Sequence, residues 1–174
     1  GSSGLSSIFI GKQVSFIGKS AFGNCESLAS ITVDENNPYY SSKNGVLFNK
    51  DKTVLLAYPA GKPNSSYAIS FSVTEIGASA FSNCKNLKAV ILNDGLKTIN
   101  GNAFYGCVGL TDISIPDSVE FLGDSAFGFC TSLTNVNLGK GLKSIGPYAF
   151  AFARVKSVKI PPSVVQIGKM AFGY

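Results

Sequence analysis

One residue pair returns through this chain at a fixed interval, and that interval constrains the fold more than any other feature. Ala-Phe occurs at Ala21-Phe22, Ala80-Phe81, Ala103-Phe104, Ala126-Phe127, Ala149-Phe150 and Ala171-Phe172. From Phe81 onward the phenylalanines follow one another at 23, 23, 23 and 22 residues. The first gap, from Phe22 to Phe81, is 59 residues, one period of 23 plus 36, so one coil carries a long insertion. Around each pair runs the pattern Ile-Gly-x-x-Ala-Phe-x-x-Cys-x-x-Leu-x-x-Val-x-Leu, most complete at residues 76–92. Repetition at a period of about 20–50 residues marks an array in which each unit buries its apolar stripe only against its neighbours.

Within one period the hydrophobic spacing changes character. Leu87-x-x-Val90-x-Leu92, Leu110-x-x-Ile113-x-Ile115, Leu133-x-x-Val136-x-Leu138 and Val155-x-x-Val158-x-Ile160 alternate as strands do. The positions Ala21, Phe22, Cys25 and Leu28 have helical or 3₁₀ spacing, too short to stand without packing. Gly18, Gly77, Gly123, Gly146 and Gly168 share one register, with Asn at Asn100, where a sharp turn into that segment predicts positive φ. The expected fold is a repeat array in which each coil passes once from an extended stretch to a short helical or 3₁₀ one and buries one apolar stripe against its neighbours.

Residues 34–66 read as an insertion. Asp34 to Tyr40 is loop-like, and Gly45-Val46-Leu47-Phe48 and Thr53 to Pro59 flank a four-residue turn as a β-hairpin. Asn64-Ser65-Ser66 is a glycosylation sequon, of consequence only in a secreted eukaryotic protein. The chain begins in mid-repeat and stops just before a further Cys position, so it reads as a piece of a longer array of six to seven coils spanning residues 5–174 as a single domain, residues 1–4 being a tag remnant or part of a preceding repeat.

Apolar residues make up 45% and charged residues 14%, which argues for a continuous core over disorder. No apolar run is long enough to span a bilayer. The net charge is +5, and the basic residues gather late, with no acid after Asp124. The lysines are thinly spread, which favours a solvated face, and a single arginine argues against a nucleic-acid stripe.

The chain has no histidine, so Ser-His and Cys-His dyads are excluded and the carboxylates form no acid/base pair: no enzyme is expected. Cys25, Cys84, Cys107 and Cys130 each stand three residues after a repeat Phe, which reads as a column of buried thiols rather than disulfides. Metal sites lack a Cys-x-x-Cys pair, and no cofactor motif is present. What remains free is the sheet surface. If the repeat's apolar strand positions point inward, one outward column is Phe9, Thr32, Ala68, Ile91, Ser114, Asn137 and Lys159, flanked by a second that includes Asp112 and Asn135. Phe9, Thr32, Ile91, Ser114, Asn137, Lys159, Asp112 and Asn135 are the candidate ligand-facing residues, on a platform roughly 25–30 Å long. Phe9 and Ile91 are its apolar exceptions.

Leu-x-x-Ile-x-Ile-Pro followed by x-x-Val-x-x-Ile-Gly-x-x-Ala-Phe-x-x-Cys resembles the 23-residue leucine-rich repeat of the BspA-like surface proteins, over essentially residues 5–174. Asn44 to Asp51 and Leu55 to Lys62 resemble the hairpin that interrupts such arrays. The resemblance implies a right-handed leucine-rich-repeat solenoid, with a parallel β-sheet on one face and short strands, 3₁₀ turns or short helices on the other, in a cell-surface or secreted protein. It also implies adhesion to protein ligands such as the matrix and plasma proteins fibronectin and fibrinogen, or to microbial surface ligands. It carries over no catalytic or ligand-binding residue. The alternative is a structural spacer that projects another domain and binds nothing.

Overall fold

The computed structural model of the chain describes residues 4–173, so the reading of residues 1–4, Gly4 aside, lies outside the described residues. The strands follow as β1 (Ser7–Ile10), β2 (Ser30–Val33), β3 (Tyr40–Lys43), β4 (Val46–Asn49), β5 (Val54–Ala57), β6 (Ser66–Ala68), β7 (Glu75–Ile76), β8 (Ala89–Ile91), β9 (Thr98–Ile99), β10 (Asp112–Ser114), β11 (Phe121–Leu122), β12 (Asn135–Asn137), β13 (Ser144–Ile145) and β14 (Gln166–Ile167). The chain winds as a solenoid whose coils stack in parallel register. Ser7 pairs with Ser30, Ser66 with Ala89 and Asp112 with Asn135, each 23 positions on, while Ser144 pairs with Gln166 after 22.

Parallel pairing runs on two sides of the coil. The alternating blocks form three separate two-stranded ladders, β1–β2, β6–β8 and β10–β12. The continuous sheet is instead the eight-stranded one made mostly by the two-residue Ile-Gly strands, in the order β14-β13-β11-β9-β7-β5-β4-β3. The inserted segment interrupts the first side, where Ile31 of β2 donates its N–H to Gly45 at 2.9 Å. It joins the second side, because β5 pairs in parallel with β7. The hairpin of β4 and β5 is extended by β3, antiparallel to β4, through Asn44-Gly45 at φ 52° and 76°, the φ signature of a type I′ hairpin turn.

No helix forms among the described residues. Around each Ala-Phe pair the chain takes a succession of turns with left-handed residues two before and two after the phenylalanine: Ser79 and Asn83, Asn102 and Gly106, Ser125 and Phe129, Tyr148 and Phe152. This alternation aims every second N–H at the next coil. Ser79, Phe81 and Asn83 donate to the carbonyls of Gly101, Ala103 and Tyr105 at 3.1, 2.7 and 2.7 Å, while Ala80, Ser82 and Cys84 bond back three residues. Helical spacing in the sequence thus reports i→i−3 closures, and inter-coil bonding prevents a helix.

The repeat glycines do not take positive φ, contrary to expectation; among the described glycines only Gly45 and Gly106 do. In the later coils they are small because the coils approach closely: a Cβ on Gly123 would lie 2.4 Å from Gly101 N, and one on Gly146 2.6 Å from Gly123 C.

The core is a stack of rings. Phe81, Phe104, Phe127 and Phe150 are fully buried, with centroids 4.8, 5.0 and 5.3 Å apart, and Phe172 extends the stack at 5.3 Å. Offset stacking of this kind adds about 0.5–1.5 kcal/mol per pair beyond burial. Tyr58, 23 positions before Phe81, begins the column at 5.1 Å. Thus Ala57-Tyr58 is the inserted coil's version of the Ala-Phe pair. The four cysteines are free and buried. Cys84, Cys107 and Cys130 point their Sγ at the carbonyls of Tyr58, Phe81 and Phe104 at 3.6, 3.0 and 3.1 Å. Burial pushes the Cys130 thiol well up, and a hydrogen bond with Cys84, together with burial, does the same for Cys107. The Cys107 and Cys130 thiols are thus core atoms with little thiolate character.

Candidate binding surface

The two columns begin as ordinary strand geometry. In β8 the apolar Val90 turns into the core and its neighbours Ala89 and Ile91 turn out; Ile113 of β10 does the same between Asp112 and Ser114. Phe9, Thr32, Ile91, Ser114, Asn137, Lys159, Asp112 and Asn135 are all exposed. The ladders bring Phe9 beside Thr32, Ala68 beside Ile91, Ser114 beside Asn137 and Asp112 beside Asn135. They do not bring the whole column together, because the insertion separates Thr32 from Ala68. Phe9 and Thr32 therefore form one patch, and the residues from Ala68 to Lys159 another. Phe9 is 67% exposed and Ile91 66%, each an apolar side chain in a polar field.

Hydrogen bonds order the polar part of this surface. Asp112 accepts from Thr111 Oγ1 at 2.6 Å and from Asn135 Nδ2, and these two bonds, the first foremost, hold its carboxyl below the usual carboxylate range. In the same coil but off this surface, just before β11, Glu120 accepts from Lys143 Nζ; that bond and the lysine's charge, with a smaller contribution from Lys97, likewise depress its carboxyl. Ser114 and Asn137 border a shallow depression of about 480 Å³ that also includes Asp94 and Asp117. Sequence reasoning passed over these two acids. Their 23-residue offset was the available signal, and Lys140 occupies the same register one coil later, where its N–H bonds Asp117 Oδ1 at 2.7 Å.

A second exposed feature also escaped the sequence reading. Tyr105, Phe129 and Phe152 form a ladder on the turn edge, with centroids 5.2 and 4.2 Å apart. Phe129 and Phe152 hold left-handed φ of 56° and 60°, where the other coils place Asn24, Asn83 and Gly106. Bulky residues are rare in that conformation; ring stacking along the ladder offsets part of the strain. Among the described residues, no three His, Cys, Asp or Glu side chains gather as a metal site would require, and no helix is long and apolar enough to cross a membrane.

Stacked coils with a shared phenylalanine column and period-matched parallel strands define a leucine-rich-repeat solenoid. The chain belongs to the BspA-type leucine-rich-repeat family, whose model matches residues 1–49 and 60–174 in six copies. Among solved structures it is similar to a leucine-rich repeat protein from Eubacterium ventriosum, at 28% identity and a TM-score of 0.64, over 97% of this chain and 58% of that one. It also resembles in fold the pneumococcal vaccine antigen PcpA, at 24% identity and a TM-score of 0.71, over 97% of this chain and 52% of that one. The chain thus spans little more than half the length of these relatives. No curated protein matches it in sequence.

Proposed function

We propose that this chain is part of a cell-surface or secreted protein and that its array binds a protein ligand without catalysing a reaction. The observation that carries the reading is Ile91, an apolar side chain two-thirds exposed in a field of Ser114, Asn137 and Lys159. An apolar anchor within a polar rim is the arrangement in which a few residues supply most of the binding energy. A stacked solenoid offers such anchors on an extended surface. The bordering Asp94 and Asp117 give the depression an acidic character suited to a ligand with basic groups. Matrix and plasma proteins of the fibronectin and fibrinogen kind are the ligands the family resemblance points to.

The test is the triple substitution Ile91→Ala, Asn137→Ala and Lys159→Ala, read by binding to immobilised fibronectin and fibrinogen. All three side chains are exposed, so the fold is retained. Binding by the parent, weakened about tenfold or more in the variant, is the expected result. No binding by the parent favours the spacer, and equal binding by both overturns the assignment of binding to the Ile91 column.

A further inference from the structure

Between the first coil and the coil of Phe81, the inserted coil leaves a cleft. In each later coil, the N–H groups two before, at and two after the repeat phenylalanine donate to the next coil. Their equivalents in the first coil are those of Ser20, Phe22 and Asn24. Ser20 and Asn24 hold φ of 58°, matching Ser79 and Asn83 at 58° and 59°, so these N–H groups face the same way. The segment that should answer them is two residues short: Tyr58 follows Leu55 by three positions, where Phe81 follows Ile76 by five. That segment contributes one N–H, from Tyr58 to Ala80 at 2.7 Å. Among the described residues, no backbone hydrogen bond takes the N–H of Ser20 or Phe22, and none reaches the carbonyls of Ala78 or Ser82, the equivalents of Gly101 and Tyr105.

All four of these residues line the cleft, which has a volume of about 130 Å³ and also takes in Leu47 and Leu56. One wall carries backbone donors, the other backbone acceptors, and apolar side chains lie between. A cavity of about 150 Å³ accommodates a molecule the size of benzene, so this one admits a peptide unit with a small side chain. We infer that the cleft binds an extended segment of a protein partner by its main chain. A carbonyl of the segment takes the N–H groups of Ser20 or Phe22, and an N–H of the segment meets the carbonyl of Ala78 or Ser82. This is strand addition at unpaired backbone, with small residues favoured by volume. The cleft shares no residue with the Ile91 column, so either site can fail without the other.

The test uses N-acetyl-alanine N-methylamide as the probe and N-acetyl-alanine methyl ester, which lacks one of its two N–H groups, as the comparator. Both are titrated into isotope-labelled protein and followed by amide chemical shifts. The amide probe is expected to shift Ser20, Phe22, Ser79 and Ser82 saturably in the millimolar range, and the ester to bind about fivefold more weakly or worse. Ala21→Leu and Ala78→Leu add bulk on the two walls at positions outside the buried core, and each is expected to weaken the amide's binding; Asn137→Ala is expected to leave it unchanged. Shifts that do not saturate, as a cleft holding only water would give, overturn the inference. So do equal affinities for amide and ester, or undiminished binding by a folded filling variant.

Discussion

The coils from Tyr67 to Gly173 and the stretch from Leu5 to Pro63 carry the same repeat, but different forces join them. In the later coils, three backbone hydrogen bonds per turn, a ring stack and a parallel sheet tie each coil to the next. The first coil meets the coil of Phe81 through side chains: Ser20 Oγ to Ser79 Oγ at 2.8 Å, Asn83 Nδ2 to Asn24 Oδ1 at 2.6 Å, and Lys85 to Glu26 at 2.8 Å. These are exposed contacts, and an exposed ion pair contributes about 0–1 kcal/mol. The core divides accordingly. Ile10, Cys25, Leu28, Ile31, Leu47 and Ala57 form one cluster; Val46, Phe48, Leu55, Tyr58 and the later coils form the other. Strand β4 is buried on both faces, Leu47 toward the first coil and Val46 and Phe48 toward the array. A sequence repeat therefore ensures equivalent positions, but continuity of bonding is lost where the inserted coil is shortened between its strand and its aromatic residue; the 22-residue coil, from Ser144 to Gln166, keeps its bonding.

Substitutions at equivalent registers sharpen the contrast. Phe104→Ala removes a ring stacked on both faces and fully buried, and is expected to cost about 3–5 kcal/mol in denaturant unfolding. Phe22, half-buried and outside the stack, is expected to cost clearly less on the same substitution; equal losses would erase the distinction between the regions. Gly123→Ala forces a Cβ to 2.4 Å from backbone nitrogen and is expected to destabilise by more than about 2 kcal/mol. Gly18→Ala meets nothing nearer than a side-chain atom at 3.9 Å and is expected to stay within about 0.5 kcal/mol of the parent.

Smaller effects probe the seam and the surface. The Tyr58 hydroxyl is buried without a hydrogen-bond partner, and burial raises its pKa to about 12, with smaller contributions from Cys84 and Tyr67. Tyr58→Phe keeps the ring and removes the orphan group, so stability is expected to hold or rise by up to about 1 kcal/mol; a loss would mean the hydroxyl is satisfied. Asp112 and Glu120 have depressed carboxyls, so each contributes stability that is complete above the ordinary carboxylate pKa and fades as pH falls through the lowered folded value. Carboxyl titration by NMR is expected to find both below the ordinary range for their residue types; ordinary values would dissolve the Asp112–Asn135 pairing.

The 23-residue period alone made much of this legible. It gave the stacking register, the inward phenylalanines and cysteines, and the outward columns, because a repeat that buries one stripe must align equivalents. The second role of the backbone was not legible, since left-handed φ falls on Ser79, Tyr148, Phe152 and Met170, and on glycine only at Gly106 among these turns. The repeat glycines signalled close approach of coils, which only the neighbouring coil reveals. Two signals were present and unused: Ala57-Tyr58 lies 23 residues before Ala80-Phe81, and Asn44-Gly45 marks the turn between β3 and β4. Of the candidate surface, exposure was legible residue by residue. Its division at the insertion and its acidic border were not, because both depend on how coils of unequal length stack.

Native-state hydrogen exchange tests the seam most directly, by comparing the amides of Ser20, Phe22 and Asn24 with those of Ser79, Phe81 and Asn83. Backbone conformation and register are shared, while bonding to the next coil, and with it burial, differs between the two sets. The first set is expected to exchange through local opening at low free energy, and the second to approach the stability of the array. Equal protection of both sets would contradict a seam in the backbone bonding.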